Sequence, residues 1–245
     1  MTTTATAAFP CPDCGVEATP DSNFCRHCGV PLGSTTADRA QPLDFAERTR
    51  DRCLALLRTN PDNPRWHFEL GLAYYHLGDA ASATTAFQRV VALEPSYPQA
   101  HFQLALCHYR RGAMRECAAA SRRAIALNPH SAPAHFRLGL ALFHLGRLDE
   151  AARAFQHTTE VDAEYVIAWY HLGVIRERQD DLADAIACFE RVVEANPQDA
   201  SAHYHLGLCY ARAGREGLAI SALTRALQIE PTDEAASAAL QELQR

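Results

Sequence analysis

Apolar and small residues recur along this chain at a fixed interval of 34 positions. Copies of the repeat begin at Pro64, Pro98, Ala132, Val166 and Ala200 and follow one another without an insertion. When the positions of each copy are numbered as slots 1 to 34, slot 7 is leucine throughout, at Leu70, Leu104, Leu138, Leu172 and Leu206. Slots 8 and 20 hold small residues in every copy. Such regular spacing predicts a chain built from repeated structural units.

The pattern resembles the tetratricopeptide repeat (TPR), and the resemblance covers residues 64–231. It implies an all-α fold, a right-handed α-solenoid of about five helical hairpins with flanking helices. Small side chains at slots 8 and 20 let the paired helices approach closely, and slot 24, with Phe87, Phe155 and Phe189, adds bulk to the contact between pairs. Slot 15 is glycine in four copies, where a left-handed helix end costs least, and Asp180 in the fourth. We expect that hairpin to be the least tightly made.

The segments on either side of the repeats are predicted to cover the ends of the stack. Residues 43–60 end on the same proline spacing and resemble the second helix of an incomplete repeat. Residues 232–245 predict a C-terminal capping helix with Thr232 or Asp233 as its N-cap. The N-terminal part is divided into a disordered N-terminus (1–8), a small metal-binding module (9–32) and a polar, flexible linker (33–42).

Twelve histidines raise the question of a metal or catalytic site within the repeats. Slot 4 holds four of them, with a tryptophan in the fourth copy: His67, His101, His135, Trp169 and His203. An imidazole that exchanges with an indole is acting through its bulk. Neighbouring helices lie roughly 10 Å apart, whereas zinc needs each ligand nitrogen within about 2 Å. We therefore predict that this row packs between helices.

The strongest chemical signature is the segment CPDCGVEATPDSNFCRHCG, which resembles the short zinc ribbon at the ends of many bacterial and archaeal proteins. Two Cys-x-x-Cys knuckles supply Cys11, Cys14, Cys25 and Cys28. Four thiolates in this spacing suit one tetrahedral zinc ion and leave no open coordination position, so the predicted zinc is structural. A redox dithiol pair and iron bound by the same cysteines are the alternatives.

Composition and charge narrow the function classes. A formal net charge of -6 and a pI near 6.0 argue against nucleic-acid binding, which would be expected to need a basic excess. No apolar run is long enough for a membrane span, and the first residues lack the features of a signal peptide, so we expect a cytoplasmic protein. No phosphate-binding loop, serine elbow or His-Glu-x-x-His motif is present. We therefore expect neither enzyme activity nor a small-molecule substrate.

In the tetratricopeptide family, the first helices of successive repeats line a groove through slots 2, 5, 6, 9, 12 and 13. Slot 5 gives Phe68, Phe102, Phe136, Tyr170 and Tyr204, and slot 9 gives Leu72, Leu106, Leu140, Val174 and Leu208. Slot 13 gives His76, Arg110, His144, Arg178 and Arg212. The resemblance thus implies an apolar groove floor for an amphipathic or extended segment. Ordinary packing of the aromatics, and cations placed to suit the helix dipole, are the competing interpretations.

Together these features predict a non-enzymatic protein-protein interaction scaffold or adaptor. Its groove would bind an apolar or amphipathic segment of a partner protein or peptide, and the zinc ribbon would be a structural or secondary interaction module. The alternative is a metal- or redox-responsive regulatory protein whose zinc ribbon controls partner binding.

Overall fold

The computed structural model describes residues 42–244 and two short strands, β1 (Phe9–Pro10) and β2 (Glu17–Ala18). The strands pair antiparallel, with Phe9 opposite Ala18 and Pro10 opposite Glu17. The other described residues form twelve helices: α1 (Pro42–Thr59), α2 (Pro64–His76), α3 (Ala80–Leu93), α4 (Pro98–Arg110), α5 (Met114–Leu127), α6 (Ala132–His144), α7 (Leu148–Val161), α8 (Val166–Arg178), α9 (Leu182–Ala195), α10 (Ala200–Arg212), α11 (Glu216–Ile229) and α12 (Glu234–Leu243). The chain divides into two compact units, Met1–Pro129 (unit 1) and His130–Arg245 (unit 2).

Each copy of the repeat is a helical hairpin. The first helix of a copy has 13 residues and the second has 14 in all five copies. Unit 1 contains the hairpins α2/α3 and α4/α5, and unit 2 contains α6/α7, α8/α9 and α10/α11. The prediction of a helical hairpin repeated every 34 residues is therefore confirmed for residues 64–229.

Short polar side chains fix where many of the helices begin. The Asn63 side chain accepts from the first amides of α2, and Ser131 and Asp199 accept in the same way at α6 and α10. Of the two candidates for the last helix, Asp233 is the N-cap, and its carboxylate accepts from the amides of Ala235 and Ala236. These bonds satisfy helix amides that have no partner within the helix.

The first helix of four copies ends on a glycine in the left-handed region, for example Gly78 with φ of 84°. Its amide donates to the Tyr75 carbonyl at 3.1 Å, and the following amide donates to the Tyr74 carbonyl at 2.9 Å. Asp180 adopts the same conformation, with φ of 64°, and the two corresponding hydrogen bonds have the same lengths, 3.1 and 2.9 Å. The expectation that this hairpin is the least tightly made is not borne out by its hydrogen bonds.

The aromatic residue at slot 24 faces slot 8 of its own hairpin. A Cβ added to Gly71 would lie 2.6 Å from the Phe87 ring, and one added to Gly139 would lie 2.7 Å from the Phe155 ring. In the second copy the residue at slot 8 is larger and the residue at slot 24 is smaller, Ala105 and Ser121 respectively. Slot 24 therefore also fills the space left by glycine within its own hairpin, in addition to the expected contact between hairpins, in which Phe155 stacks on His171 of the next copy.

The two flanking helices pack against the repeats within their own units. Cys53 of α1 is fully buried in a cluster with Leu70 and Ala86. Ala236 of α12 packs with Leu223 and Ala226 of α11. No helix among residues 42–244 is both long and apolar enough to cross a membrane.

Candidate functional site: the groove face of unit 2

The slot-4 residues hydrogen-bond to the turn that precedes their own helix. Trp169 Nε1 donates to the carbonyl of Ala163 at 2.9 Å. His67 Nε2 and His101 Nε2 lie 2.7 and 3.0 Å from the carbonyls six residues before them. Since a carbonyl oxygen can only accept, these contacts assign the proton to Nε2 of both histidines. These imidazoles bind the turn before their own helix, so they do more than the bulk packing predicted from sequence.

No metal site is formed within the described helices. Among the described residues, no group of three or more histidine, cysteine or acidic side chains is placed to hold an ion. The four cysteines of the predicted ribbon, Cys11, Cys14, Cys25 and Cys28, lie outside the described residues. The strands β1 and β2, which pair with each other, flank the first knuckle in the sequence.

The five cysteines of the helices are buried: Cys53, Cys107, Cys117, Cys188 and Cys209. Burial raises the pKa of Cys53, Cys107, Cys188 and Cys209 to about 12. A thiol must ionise to act as a nucleophile, so these four are held in their unreactive form at neutral pH. They fill space between helices, as small hydrophobic residues do.

Two of the slot-5 aromatics are committed to packing. The Phe136 ring lies 5.6 Å from the Phe155 ring and 4.9 Å from the Tyr165 ring, and only 8% of Phe136 is exposed. Phe68, which is 4% exposed, makes the matching contacts in unit 1. The slot-9 residues Leu72, Leu106 and Leu140 are also buried. This part of the predicted groove floor therefore stabilises the hairpins and offers a partner little surface.

Side chains on α8 and α10 remain accessible. Ile167 at slot 2 of α8 is 50% exposed, which is unusual for a large apolar residue in these repeats. Half-buried neighbours at slots 5 and 9 of the two helices are Tyr170, Val174, Tyr204 and Leu208. The helices are adjacent, since the Tyr170 and His205 rings lie 5.8 Å apart. These five residues, Ile167, Tyr170, Val174, Tyr204 and Leu208, are the groove face of unit 2. In unit 1, Phe102 of α4 is half-buried as well.

Two histidines at slot 6 border this face and were missed by the sequence analysis. His171 stacks on Phe155 at 5.2 Å with an interplanar angle of 12°, and His205 stacks on Phe189 at 5.2 Å and 10°. Burial, with a smaller contribution from His144, lowers the pKa of His171. The available signal was histidine at a groove slot in two successive copies, each after a copy with phenylalanine at slot 24.

The slot-13 arginines connect successive first helices. Arg178 lies 5.1 Å from the Phe143 ring centroid. Arg212 donates to the Glu177 carbonyl at 3.3 Å and to the Asp180 carboxylate at 2.5 Å. In unit 1, Arg110 donates to the Tyr75 carbonyl at 2.7 Å. These cations also lie in the last turn of their helices, where the helix dipole favours positive charge, and each remains exposed. His76 and His144 are the last residues of their helices.

The Glu177 side chain of α8 lies close to two basic residues of α10, His205 and Arg212. His205 Nδ1 is 2.8 Å from Glu177 Oε2, and Arg212 Nη1 is 3.9 Å from Glu177 Oε1. Glu177 is largely buried, whereas the Arg212 side chain is 44% exposed. The carboxylate therefore orients two basic groups beside the groove face and leaves part of the guanidinium directed at solvent.

The family model for the tetratricopeptide repeat matches residues 51–91, 149–187 and 170–234, which together exceed half of the chain. The chain belongs to the tetratricopeptide repeat family. A second model, described as anaphase-promoting complex, cyclosome, subunit 3, matches residues 76–158. No curated protein matches the sequence.

Several solved structures share the fold. The crystal structure of YrrB, described as a TPR protein with an unusual peptide-binding site, has a TM-score of 0.71 and 18% identity, covering 77% of this chain and 97% of YrrB. A crystal structure of MamA has a TM-score of 0.63 and 23% identity over 66% of this chain and 95% of MamA. MamA from Desulfovibrio magneticus RS-1 gives 0.64 and 17%, over 70% and 97% of the two chains. At these identities the similarity establishes the fold alone.

Proposed function

We propose that this protein is a non-enzymatic interaction scaffold whose unit-2 groove face binds an apolar segment of a partner protein that also carries acidic residues. The observation that supports the proposal most is the row of accessible apolar side chains on α8 and α10, led by Ile167. Family membership and the peptide-binding site of YrrB, which shares this fold, point in the same direction.

The chemistry of the face defines what it would recognise. Ile167, Tyr170 and Val174 offer contact area to large apolar side chains of an extended or helical segment. The exposed guanidinium groups of Arg178 and Arg212 lie at one end of α8 and α10. Arg178, which contacts the Phe143 ring, favours a carboxylate on the partner more than Arg212, which already binds Asp180. Because these cations are solvent-exposed, their contribution is expected to weaken as salt is raised.

The proposal extends to the N-terminal module and to the location of the protein. We expect Cys11, Cys14, Cys25 and Cys28 to hold one structural zinc ion, which would supply the folding energy of a segment too small to build a core. The pairing of β1 with β2 on either side of the first knuckle supports this assignment. A cytoplasmic location is part of the proposal, because thiols stay reduced in the cytoplasm and can then bind a metal instead of forming disulfides.

The test compares two charge insertions at exposed apolar residues. Ile167→Glu places a carboxylate on the groove face, whereas Val161→Glu places one at the end of α7, where Val161 is 40% exposed and lies outside the groove slots. Burying the exposed half of an isoleucine contributes about 1 kcal/mol, and an unpaired carboxylate in an apolar contact adds a penalty. A partner captured from the native cell should bind Ile167→Glu at least about tenfold more weakly than the parent protein.

Val161→Glu is the matched control and should retain the affinity of the parent protein. Equal affinity of the two variants for the captured partner would show that the binding surface lies elsewhere. Alanine at Phe136 is unsuitable for this purpose because Phe136 is buried against Phe155 and Tyr165. Its loss would destabilise the hairpin, and weaker binding would then have two explanations.

A further inference from the structure

A cavity of about 470 Å³ opens between α10 and α11 of the last repeat. Apolar side chains from the two helices form part of its lining, namely Leu206 and Tyr210 on α10 and Leu218 and Ala222 on α11. His203, Ser221, Thr224, Arg225 and Gln228 complete the lining. The α10 residues of the cavity occupy slots 4, 7 and 11, which at 100° per residue fall on the opposite side of the helix from the groove slots. This outer pocket is therefore separate from the groove face.

Slot 19 of this repeat carries an exposed apolar residue. Leu218 is 50% exposed, whereas the same slot is polar or acidic in the other four copies, at Ser82, Glu116, Glu150 and Asp184. In two of those copies the acid pairs with an arginine, at 2.5 Å from Arg147 to Glu150 and 3.7 Å from Arg176 to Asp184. The last repeat thus has an apolar side chain at the pocket in place of a negative charge.

A second acid is missing next to the pocket. In the third and fourth copies the basic residue at slot 26 pairs with the glutamate at slot 29, at 3.0 Å from His157 to Glu160 and 2.6 Å from Arg191 to Glu194. Arg225 occupies slot 26 of the last copy, but slot 29 there is Gln228, a neutral acceptor 3.2 Å from Arg225 Nη1. The positive charge of Arg225 is therefore not neutralised by the residue that performs this role in the two preceding copies.

The other polar groups in and around the pocket favour a position near Arg225 for a negatively charged group of a ligand. The Tyr210 hydroxyl donates to Glu190 Oε1 at 2.6 Å, so a carboxylate already stands at that end. His203 Nε2 is 3.3 Å from the Pro197 carbonyl. A ligand carboxylate near Glu190 would be repelled, whereas one near Arg225 would meet a cation and the side chains of Ser221 and Thr224.

We propose that the outer pocket between α10 and α11 is a second interaction site, which takes an apolar side chain of an acidic peptide segment against Leu206 and Leu218 and a neighbouring carboxylate on Arg225. The cavity has room for one large side chain, and no acidic residue is part of its lining. A scaffold with this pocket and the groove face would hold two segments at once, which raises the effective concentration of one partner near the other.

The probe is a short synthetic peptide, blocked at both ends, with one leucine between two glutamates. Its control has glutamines in place of the glutamates. Titration of each into the isotope-labelled full chain, followed by amide chemical shifts, should give saturable shifts at Leu218, Ser221 and Arg225 with the acidic peptide. The neutral peptide should bind about threefold more weakly, which is the effect of one solvent-exposed ion pair.

Two variants test the assignment of roles. Arg225→Gln should weaken the acidic peptide about threefold and leave the neutral peptide unchanged. Leu218→Asp copies the fourth repeat, places an acid in the first turn of α11 where it suits the helix dipole, and should abolish the shifts of both peptides while the helix content stays constant.

Ile167→Glu should leave peptide binding at the pocket unchanged, so this result is independent of the proposed groove function. Three outcomes would overturn the assignment of the pocket: equal affinity for the acidic and neutral peptides, shifts confined to residues of the groove face, or no effect of Leu218→Asp on the shifts.

Discussion

Because a small residue at slot 8 faces a large one at slot 24, an alanine at slot 8 should destabilise the protein when the large ring is present and stabilise it when the ring has been removed. Alanine substituted for Gly139 within α6 should gain about 1 kcal/mol of helix propensity. The added Cβ, however, would lie 2.7 Å from Cε1 of Phe155, a ring with no exposed surface. Overpacking of a core typically costs about 1–3 kcal/mol, so Gly139→Ala alone should destabilise unit 2 by up to about 2 kcal/mol.

The same substitution should become stabilising once the ring is removed. Phe155→Ala by itself costs about 3–5 kcal/mol because it leaves a cavity. In that background the methyl group introduced by Gly139→Ala has space, and the helix gain of about 1 kcal/mol remains. The coupling between the two sites in a double-mutant cycle should therefore be about 1–3 kcal/mol. The natural pair of Ala105 with Ser121 in the second copy shows the same combination of small residues.

Denaturant unfolding of the four proteins in the cycle measures this coupling. A Trp66→Phe background leaves Trp169 of α8 as the sole tryptophan, so its fluorescence reports on unit 2. The contact account requires the effect of Gly139→Ala to change sign between backgrounds. Additivity within about 0.5 kcal/mol would show that the ring and the glycine are energetically independent and would refute the account.

Three further predictions concern a helix end, a histidine and the thiols. Asp180→Ala should cost about 1 kcal/mol in urea unfolding, because alanine at φ of 64° is strained and the Arg212 contact is lost. Asp180→Gly loses the same contact but relieves the backbone strain, so it should be nearly neutral. Burial lowers the pKa of His171 in the folded protein. Below about pH 6.5 the unfolded chain therefore binds this proton more readily than the folded chain, and unit 2 should lose stability as the pH falls through that value. His171→Gln should reduce this loss of stability. A chelator should release zinc and expose four fast-reacting thiols, whereas the five thiols of the helices should react only after denaturation. Binding of a partner to the groove face should persist after the zinc is removed. Loss of this binding together with the zinc would instead favour regulation by the ribbon.

Much of the fold follows from repetition within one sequence. The 34-residue spacing identified the repeat family, and the first helices begin at the residues from which the copies were counted, such as Pro64 and Ala200. Small slots facing large slots were also visible in the sequence, because Gly139 and Phe155 belong to the same copy. Local signals of this kind depend on residues whose separation is fixed by one hairpin.

Contacts between consecutive copies were harder to predict. Arg212 compensates Asp180 from 32 positions further along, and His205 stacks on a ring that belongs to the copy before it. Both contacts depend on how one hairpin lies against the next, which residue types alone do not specify. For the same reason, and because both residues occupy groove slots, the sequence did not show that Phe136 is buried and Ile167 accessible.

Site-specific photo-crosslinking in the native cell tests the central claim most directly, namely that the groove face of unit 2 contacts a partner protein. A photoreactive residue is introduced in turn at Ile167, at Leu208 and, as a control outside the groove, at Val161. The account predicts the same crosslinked partner from positions 167 and 208 and none from position 161. Crosslinking from position 161 alone would contradict it.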